Sequence, residues 1–370
     1  MTRALLLSGS IGHGHDSVAD ACGEALGTVG VEVRVRDCMK LLGTLRRSFG
    51  VHAYRRILSF PGVFDAFHFA QLRDGGRLAD RADHAASRVL AERLAPDLAW
   101  VGDGMVISVF ATGAGAAALA KSKGLPARSI AMVTDATAHR LWVHEETDLF
   151  LVGSHLTATT VRQHRPLAPI AILPPAVRSG FYRAPSREDA RRALGLPESA
   201  QVALLMTSGW GIGPLVESAS ELTREGWWVL GVAGSNRRVE RRLWRLARTL
   251  HQDPSAKGGL VPFGFTRRVP ELMAACDVVI TSSGQACHEA RVVGRPMVLL
   301  DIVPGHGREN MLHELEQGGA MACLGNARSV AAAADASLAL PGDAEPWPLS
   351  TAAEWSERFA ASLAEAGVEL

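Results

Sequence analysis

Two histidines stand in a glycine-rich loop that follows the first apolar segment of the chain. The loop reads Ser8-Gly-Ser-Ile-Gly-His-Gly-His-Asp and leads into the first predicted helix. Glycines allow the backbone to approach a ligand closely, and a helix N-terminus favours negative charge. The ordinary pKa of an imidazole lies near physiological pH, so His15 or His13 is a candidate base for an attacking hydroxyl group. The alternative is a glycine turn with a structural histidine.

A serine-glycine loop further along the chain is the strongest candidate for binding an anion. Ser282, Ser283 and Gly284 stand between an apolar segment and a helix, where free backbone amides would face a diphosphate. Glu289 lies one helical turn further on. A carboxylate there would repel phosphate but could accept hydrogen bonds from a ribose diol. The combination predicts a nucleotide site, and the alternative is that Glu289 lies on a solvated helix face.

Two other loops are weaker signals of ligand binding. Residues 207–214 form a second glycine loop before a helix, but tight strand-to-helix turns need glycine in any case. Residues 301–310 follow another predicted strand with two glycines and several polar side chains that could bond to sugar hydroxyls. Arg308 and Glu309 could equally form a surface ion pair that contributes little.

Asp135 and His139 follow a further apolar strand. The carboxyl end of a strand in an open parallel sheet lies at the ligand-binding edge, so these side chains are expected there. A metal site is the competing interpretation. Asp135, His139 and His144 lack the i, i+4 spacing on one helix that zinc enzymes often show, so we predict no metal site.

The elements that position these loops follow an alternating pattern. Short apolar runs that end in glycine or small residues alternate with longer helix-like stretches, which is typical of a parallel sheet covered by helices. Prolines concentrate at residues 166–175, and the alternation then restarts. The pattern predicts an α/β protein with two Rossmann-like, doubly wound domains facing each other across a ligand-binding cleft.

The predicted boundaries divide the chain into three parts. Residues 1–168 form the N-terminal domain, residues 169–345 form the C-terminal domain, and residues 346–370 form a helical tail that could cross back to the N-terminal domain. Within the first domain we expect a helix at 78–94 and a strand at 99–101. The alanine-rich stretch 330–336 is interpreted as weakly low-complexity sequence.

Composition excludes several classes of protein. The 370 residues carry 39 basic and 38 acidic side chains, a net charge of +1, so no global attraction to nucleic acid is expected. The five cysteines form no C-x-x-C pair, which argues against a disulfide framework or zinc site and favours the cytoplasm. The first apolar run is too short for a signal peptide, and no segment is long enough to span a bilayer.

Four segments, spread over nearly the whole chain, carry a resemblance to a known family. They are Ser10-Ile-Gly-His-Gly-His, Val133-Thr-Asp with His139 and Trp142, Pro174-Pro-Ala-Val-Arg-Ser-Gly-Phe, and the stretch 270–310. In order and spacing they resemble the monogalactosyldiacylglycerol synthase family of glycosyltransferases. That family is related to the peptidoglycan N-acetylglucosaminyltransferase that acts on a lipid-linked intermediate.

The resemblance implies a GT-B fold and an inverting transfer of a hexose or N-acetylhexosamine from a UDP-sugar to a hydroxyl of a lipid-linked or other hydrophobic acceptor. His15 would be the general base, with Asp135 and His139 near the acceptor. Backbone dipoles would stabilise the departing diphosphate, so neither a cofactor nor a divalent metal is expected.

Most of the implied donor contacts lie in the C-terminal domain. Glu289 would bind the ribose hydroxyls, Ser283, Gly284 and Gln285 the diphosphate, Phe265 and Thr266 the uracil, and Glu309 and Asn310 the sugar. With the glycine loops, the predicted donor-binding residues are Gly12, Gly14, Gly209, Gly211, Phe265, Thr266, Ser283, Gly284, Gln285, Glu289, Glu309 and Asn310. The chain departs from the family at His13, which replaces a glycine, and at Ser283, which replaces one of two paired glycines. These departures leave the donor open.

Basic and large apolar residues alternate between Leu41 and Phe69. This is typical of a helix that lies on an anionic leaflet, and the resemblance places lipid-acceptor contacts here. The predicted membrane or acceptor residues are Arg46, Arg47, Phe49, Tyr54 and Arg55. We therefore expect a cytoplasmic protein, peripheral at the inner face of the cell membrane. The alternative is an ordinary amphipathic helix, and a second basic helix at 236–250 is interpreted as a solvated face.

Two alternatives to a transferase share the same architecture. A sugar-nucleotide epimerase would turn over the donor without any acceptor. A non-catalytic module that binds nucleotide sugars would keep its role when His15 is replaced by alanine.

Overall fold

A computed structural model describes residues 2–10, 13–43, 68–73, 75–207, 209, 211, 213–340, 349 and 351–370. The chain forms two compact units. The first unit comprises Met1–Ser179, Pro304–Glu309 and Thr351–Leu370, and the second comprises Gly180–Val303 and Asn310–Ser350. Each unit contains a six-stranded parallel sheet with helices, which confirms the expected α/β class.

The first unit is built on a parallel sheet whose inner strands are almost wholly buried. Its strand order is β2-β1-β3-β4-β5-β6, so the direction of winding reverses between β1 and β3. In open α/β sheets such a reversal opens a crevice at the carboxyl ends of the two strands, where ligands bind. The strands are β1 (Arg3–Ser8), β2 (Glu32–Asp37), β3 (Met105–Ser108), β4 (Arg128–Val133), β5 (Leu149–Val152) and β6 (Ile170–Ile172).

Small residues bring two helices of the first unit close together. A methyl group on Gly115 would lie 2.4 Å from the Ser87 hydroxyl oxygen, so only glycine allows this separation. The helices of this unit are α1 (Gly14–Thr28), α2 (Cys38–Leu41), α3 (Arg77–Val101), α4 (Ala111–Ser122) and α5 (His155–His164), with a π-helix at His68–Arg73 and a 3-10 turn at Arg140–Trp142.

The strand expected at 99–101 is wrong: these residues form the last turn of α3. Leu90, Leu94, Leu98 and Val101 are all buried, and this spacing places them on one helical face. Gly102, with a φ of 60°, follows the end of the helix, and the strand begins at Met105. The three apolar residues at 99–101 could not by themselves distinguish a strand from a helix end.

The second unit has strand order β12-β11-β10-β7-β8-β9, and here the winding reverses between β7 and β10. Its strands are β7 (Val202–Met206), β8 (Trp228–Val232), β9 (Gly259–Phe263), β10 (Val278–Thr281), β11 (Met297–Asp301) and β12 (Ala320–Leu324). The helices that follow in the chain are α6 (Ser179–Tyr182), α7 (Arg187–Leu194), α8 (Leu215–Arg224), α9 (Arg237–Gln252), α10 (Val269–Ala275), α11 (Gln285–Val292), α12 (His306–Glu316) and α13 (Ala327–Ser337).

The alanine-rich stretch 330–336 is core rather than low-complexity sequence. It lies within α13, where Val330 and Ala334 are completely buried. The Trp227 indole N–H donates to the Asp335 carboxylate at 2.8 Å. Short side chains let the helix pack closely on the sheet.

Two segments that lie beyond the predicted end of the N-terminal domain belong to the first unit. Strand β6 follows the predicted boundary after residue 168, yet it pairs with β5 in the first sheet. The last helix, α14 (Ala352–Glu365), also belongs to the first unit, and its Trp355 indole N–H donates to the Pro174 carbonyl oxygen at 2.8 Å. Among the helices that the structure describes, none has the length and apolar character needed to cross a bilayer.

Candidate active site

His15 lies in the first turn of α1, directly after the β1 loop. The Phe110 ring, which follows β3, packs edge-on against the imidazole at 5.3 Å between centroids. Thr134, which follows β4, places its hydroxyl oxygen 3.4 Å from the His15 Nδ1 atom. Three neighbouring strands therefore position this side chain at the crevice of the first sheet.

Burial lowers the pKa of His15 below its ordinary value. The Asp135 carboxylate, a hydrogen bond with the Val109 backbone and Asp16 oppose this shift only in part. An imidazole with a lowered pKa is uncharged at neutral pH, which is the form that can accept a proton.

The β1 loop needs unusual backbone geometry next to His15. A methyl group on Gly9 would lie 2.6 Å from the Phe110 ring, so glycine is required there. His13 has a φ of 69°, in the left-handed region that favours glycine. The His13 Nδ1 atom lies 3.4 Å from an Asp16 carboxylate oxygen. This hydrogen bond lowers the pKa of Asp16. Gly12, a predicted donor-binding residue in the same loop, lies outside the described residues.

Asp135 follows β4 and receives the indole N–H of Trp142 at 3.1 Å. Burial raises the pKa of this carboxyl group. The nearby His306, His139 and His15 lower the pKa by a larger amount, so the net shift is downward. The carboxylate therefore stays charged at neutral pH. It is coupled electrostatically to His15 and His139, so the structure brings the three predicted catalytic side chains into one cluster.

His139 stays uncharged in this cluster. Burial lowers its pKa to about 4, against the opposing effect of Asp135. Its ring lies 6.2 Å from the Trp142 ring, and its Nδ1 atom is buried without a hydrogen-bond partner among the described residues. An uncharged imidazole can donate or accept one hydrogen bond toward a ligand without bringing a net charge.

His306 is a site residue that sequence reasoning missed. It begins α12 and lies 6.0 Å from the His68 ring between centroids. Burial lowers its pKa, and its main opposing partner is Asp135. The signal in the sequence was a histidine between two glycines in the polar loop 301–310, but nothing local indicated that it approaches Asp135.

Glu309 lies in the first unit, where three side chains hold its carboxylate. His68 Nε2 and the Thr137 hydroxyl lie 3.1 Å and 2.9 Å from Oε2, and the Arg73 guanidinium lies 2.8 Å from Oε1. Burial raises the pKa of Glu309, but these partners more than offset that effect and leave it lowered. Both carboxylate oxygens thus have partners in the protein, and the expected sugar contact stays a prediction.

In the second unit, the loop between β10 and α11 carries the predicted diphosphate and ribose contacts. Ser282 is buried, and Ser283, Gly284 and Gln285 are partly exposed at the start of α11. Glu289 is only 5% exposed, so the solvated-face interpretation is wrong. This loop follows β10 at the point where the winding of the second sheet reverses, next to the loop that follows β7.

The glycines after β7 have a packing role. Gly209 accepts hydrogen bonds on its carbonyl oxygen from the Ser235 backbone and hydroxyl at 2.9 Å and 2.7 Å. Gly211 has a φ of 56°, and a methyl group there would lie 2.6 Å from the Ala233 carbonyl oxygen. These contacts support the structural interpretation of the loop, and donor binding by it stays a prediction.

The remaining predicted donor contacts lie near other strand ends of this unit. Phe265 follows β9 and is 62% exposed, an unusual environment for a large aromatic ring. Thr266 accepts a hydrogen bond from the Arg268 backbone at 3.1 Å, and Asn310 is partly exposed in α12.

Two further expectations concern the membrane and metals. Arg46, Arg47, Phe49, Tyr54 and Arg55 all lie outside the described residues. Within the described part of the chain, no three or more histidine, cysteine or acidic side chains are grouped so that they could hold a metal ion. The five cysteines carry free thiols.

The family model for monogalactosyldiacylglycerol (MGDG) synthase matches residues 15–164, a segment of the first unit that starts at His15. Over that segment, the chain is similar to the MGDG synthase family. A probable chloroplastic MGDG synthase of Glycine max is 26% identical over 216 residues, which are 54% of this chain and 39% of that protein. A processive diacylglycerol beta-glucosyltransferase of Bacillus licheniformis is 26% identical over 198 residues, 51% of this chain and 49% of that protein. The chain thus spans less than half the length of these relatives.

Comparison with solved structures shows the fold of this chain. MurG of Acinetobacter baumannii superposes with a TM-score of 0.56 at 13% identity and covers 99% of both chains. MnaA of S. aureus with UDP superposes with a TM-score of 0.63 at 12% identity over 98% of this chain and 96% of that one. At these identities the similarity shows a GT-B fold and does not establish the reaction.

Proposed function

We propose that this chain is an inverting glycosyltransferase. It moves a hexose or N-acetylhexosamine from a UDP-sugar to a hydroxyl of a lipid-linked or otherwise hydrophobic acceptor, with His15 as general base. The observation that carries the proposal is the position of the His15 imidazole at the crevice of the first sheet, between Phe110 and Thr134, where it is coupled electrostatically to the Asp135 carboxylate. The names of the relatives support the lipid acceptor.

The proposed reaction is a single displacement. The acceptor hydroxyl gives its proton to His15 as its oxygen bonds to the anomeric carbon, and the bond from that carbon to the diphosphate oxygen breaks. UDP leaves, and the configuration at the anomeric carbon inverts. His15 becomes an imidazolium ion, which the nearby Asp135 carboxylate stabilises because the charges are opposite.

The second unit supplies most of the donor contacts in this proposal. Backbone amides at Ser283 and Gly284 precede α11, where the helix dipole favours the negative charge of the diphosphate. Glu289 accepts hydrogen bonds from the ribose diol. Glu289 is only 5% exposed and lies in the helix that follows the predicted diphosphate loop, and this position supports the role.

The first experiment measures UDP release from UDP-galactose, UDP-glucose and UDP-N-acetylglucosamine, with and without diacylglycerol vesicles. We expect release that requires the vesicles, and NMR of the product should show an anomeric configuration opposite to that of the donor. Retained configuration would contradict the inverting step. The same assay in EDTA should keep its rate, because the proposal includes no divalent metal.

The same assay separates the two alternatives. An epimerase would convert the donor without vesicles and without net transfer. A binding module would bind UDP-sugars in calorimetry but release no UDP. If no UDP-sugar binds at all, the proposal fails.

A further inference from the structure

Six exposed arginines lie on helix α9 of the second unit. With 3.6 residues per turn, they fall within roughly 160° of the helix circumference together with Trp244. We call this surface the arginine stripe. It consists of Arg237, Arg238, Arg241, Arg242, Arg245 and Arg248.

The other face of α9 fixes the direction in which the arginine stripe points. Leu243 is fully buried, and Val239, Leu246 and Leu250 pack against the core of the second unit. The helix therefore cannot rotate about its axis without exposing these side chains. Its packing holds the arginines outward on a rigid support.

Carboxylates neutralise only part of the arginine stripe. Arg242 pairs with Glu217 at 2.6 Å and Arg237 pairs with Glu240 at 3.2 Å. The other four arginines of the stripe, Arg238, Arg241, Arg245 and Arg248, form no ion pair with any residue that the structure describes. In a chain with a net charge of only +1, this is a local concentration of positive charge that fits a surface of negative charge.

Among negatively charged surfaces, Trp244 favours a lipid bilayer. Its side chain is 49% exposed, although it belongs to a helix whose other large apolar residues are packed. Tryptophan is favoured at membrane interfaces, where its ring enters the apolar boundary and its N–H stays among polar groups. A ring at the edge of a row of arginines is typical of helices that lie on anionic bilayers.

We propose that α9 docks on an anionic lipid surface through the arginine stripe, with Trp244 inserted at the headgroup level. The helix is a different segment of the sequence from the predicted membrane segment between Leu41 and Phe69, and the proposal replaces the interpretation of α9 as a solvated face. Docking needs no turnover, so it can be tested independently of the glycosyltransferase reaction.

The test is co-sedimentation of the full chain with phosphatidylcholine vesicles that contain either no phosphatidylglycerol or about 30 mol% of it. The variant R238Q/R245Q/R248Q removes three of the four arginines of the stripe that have no carboxylate partner and keeps Arg241, whose Nε donates to the Arg237 carbonyl oxygen. We expect its partition onto the anionic vesicles to fall by about 10- to 100-fold. Wild-type binding should also weaken with added salt, because salt screens exposed charges.

The matched control is R192Q/R224Q/R328Q, which removes the same charge from exposed positions of the second unit outside α9. It should partition within about twofold of the wild type if position rather than net charge decides binding. Circular dichroism and thermal unfolding check that both variants are folded. Equal losses in the two triple variants, or an undiminished partition of R238Q/R245Q/R248Q, would overturn the proposal.

A second measurement tests Trp244 directly. Brominated phosphatidylglycerol should quench part of the tryptophan fluorescence of the wild-type chain, and W244F should lose that part. Quenching that is unchanged in W244F would contradict insertion of this ring. Duplex DNA serves as the competing polyanion. If DNA binding depends on the arginine stripe while vesicle binding does not, the partner is a nucleic acid and the proposal is wrong.

Discussion

The loops at the carboxyl ends of the two sheets differ sharply in chemical character. In the first unit, His15, His139, His306 and Asp135 are coupled to one another, and their pKa values are all shifted. In the second unit, the comparable loop carries serine, glycine and one buried carboxylate, Glu289. Coupled titratable groups suit proton transfer, whereas amides at a helix start suit an anion that does not react with the protein. This difference matches the proposal, which assigns proton transfer to the first unit and most of the donor contacts to the second.

Replacing His15 should test this division most strongly. We expect H15A to lower kcat by roughly 10²- to 10⁴-fold, because no other group at this position can take the acceptor proton. The donor affinity measured by calorimetry should stay within about twofold, because the proposed diphosphate, ribose and uracil contacts lie in the second unit. H155A, at an exposed histidine that starts α5, is the control and should keep full activity. A loss of donor affinity in H15A would contradict the proposed division of roles between the two units.

Replacing Glu289 should have the reverse pattern. E289Q removes a charged acceptor for the ribose hydroxyls, and we expect UDP-sugar affinity to fall by about 10- to 100-fold. Discrimination between UDP and 2′-deoxy-UDP should also fall, which general loss of stability would not cause. E271Q, whose carboxylate pairs with Arg268 on the surface, is the matched control. Unchanged discrimination in E289Q would show that the carboxylate is structural.

The pH profile should reveal how the first unit sets the proton affinity of His15. The Asp135 charge raises the pKa of His15, in opposition to burial. In D135N the pKa of His15 should therefore fall, and the acid limb of kcat/KM should move to lower pH. The maximal rate should drop by about tenfold, since a weaker base transfers the proton less readily and the imidazolium loses its counter-charge. An acid limb that moves to higher pH would contradict the coupling.

Replacing Glu309 should have the smallest effect of these substitutions, on the stability of the fold. If its contacts with His68, Thr137 and Arg73 are its main role, E309Q should lower the free energy of unfolding by about 1 to 2 kcal/mol, with part of the Arg73 contribution lost to solvent screening. The pKa of Glu309 is lowered in the folded chain, so this stabilisation is present near neutral pH and is lost as the pH falls through that lowered pKa.

Urea unfolding of E309Q at pH 7 and near pH 4 measures the effect, and the difference from the wild type should shrink at the lower pH. Donor affinity should not change. A weaker donor affinity with unchanged stability would instead support the predicted contact of Glu309 with the sugar.

Local sequence patterns predicted most of the strands and the residues that follow them. Apolar runs such as Val278-Val-Ile-Thr marked buried strands, because parallel strands are apolar on both faces. Where small residues dominate, as at 330–336, composition concealed a core helix. At 99–101 three apolar residues were too few to establish a period, and the strand assignment there was wrong.

Some residues of the candidate site could be identified from the local sequence, and others depend on contacts between distant segments. Histidine type, glycine spacing and position after a strand identified His15 from the sequence alone. His306 and the partners of Glu309 could not be found in this way, because His68 and Glu309 are separated by 241 positions and Thr137 and Glu309 by 172. Likewise, a residue's burial depends on what packs over it, so the sequence left open whether Glu289 was solvated.

The sequence by itself determined the class of fold, the order of strands and loops along the chain, and which loops carry imidazole, carboxylate and glycine. These properties follow from side-chain periodicity and from backbone preferences, which act over a few residues. Only the tertiary structure decided that His306 joins Asp135 and that Trp244 remains half exposed beside outward-facing arginines. Burial and electrostatic coupling arise from packing between distant segments, and no local pattern encodes the distance between them.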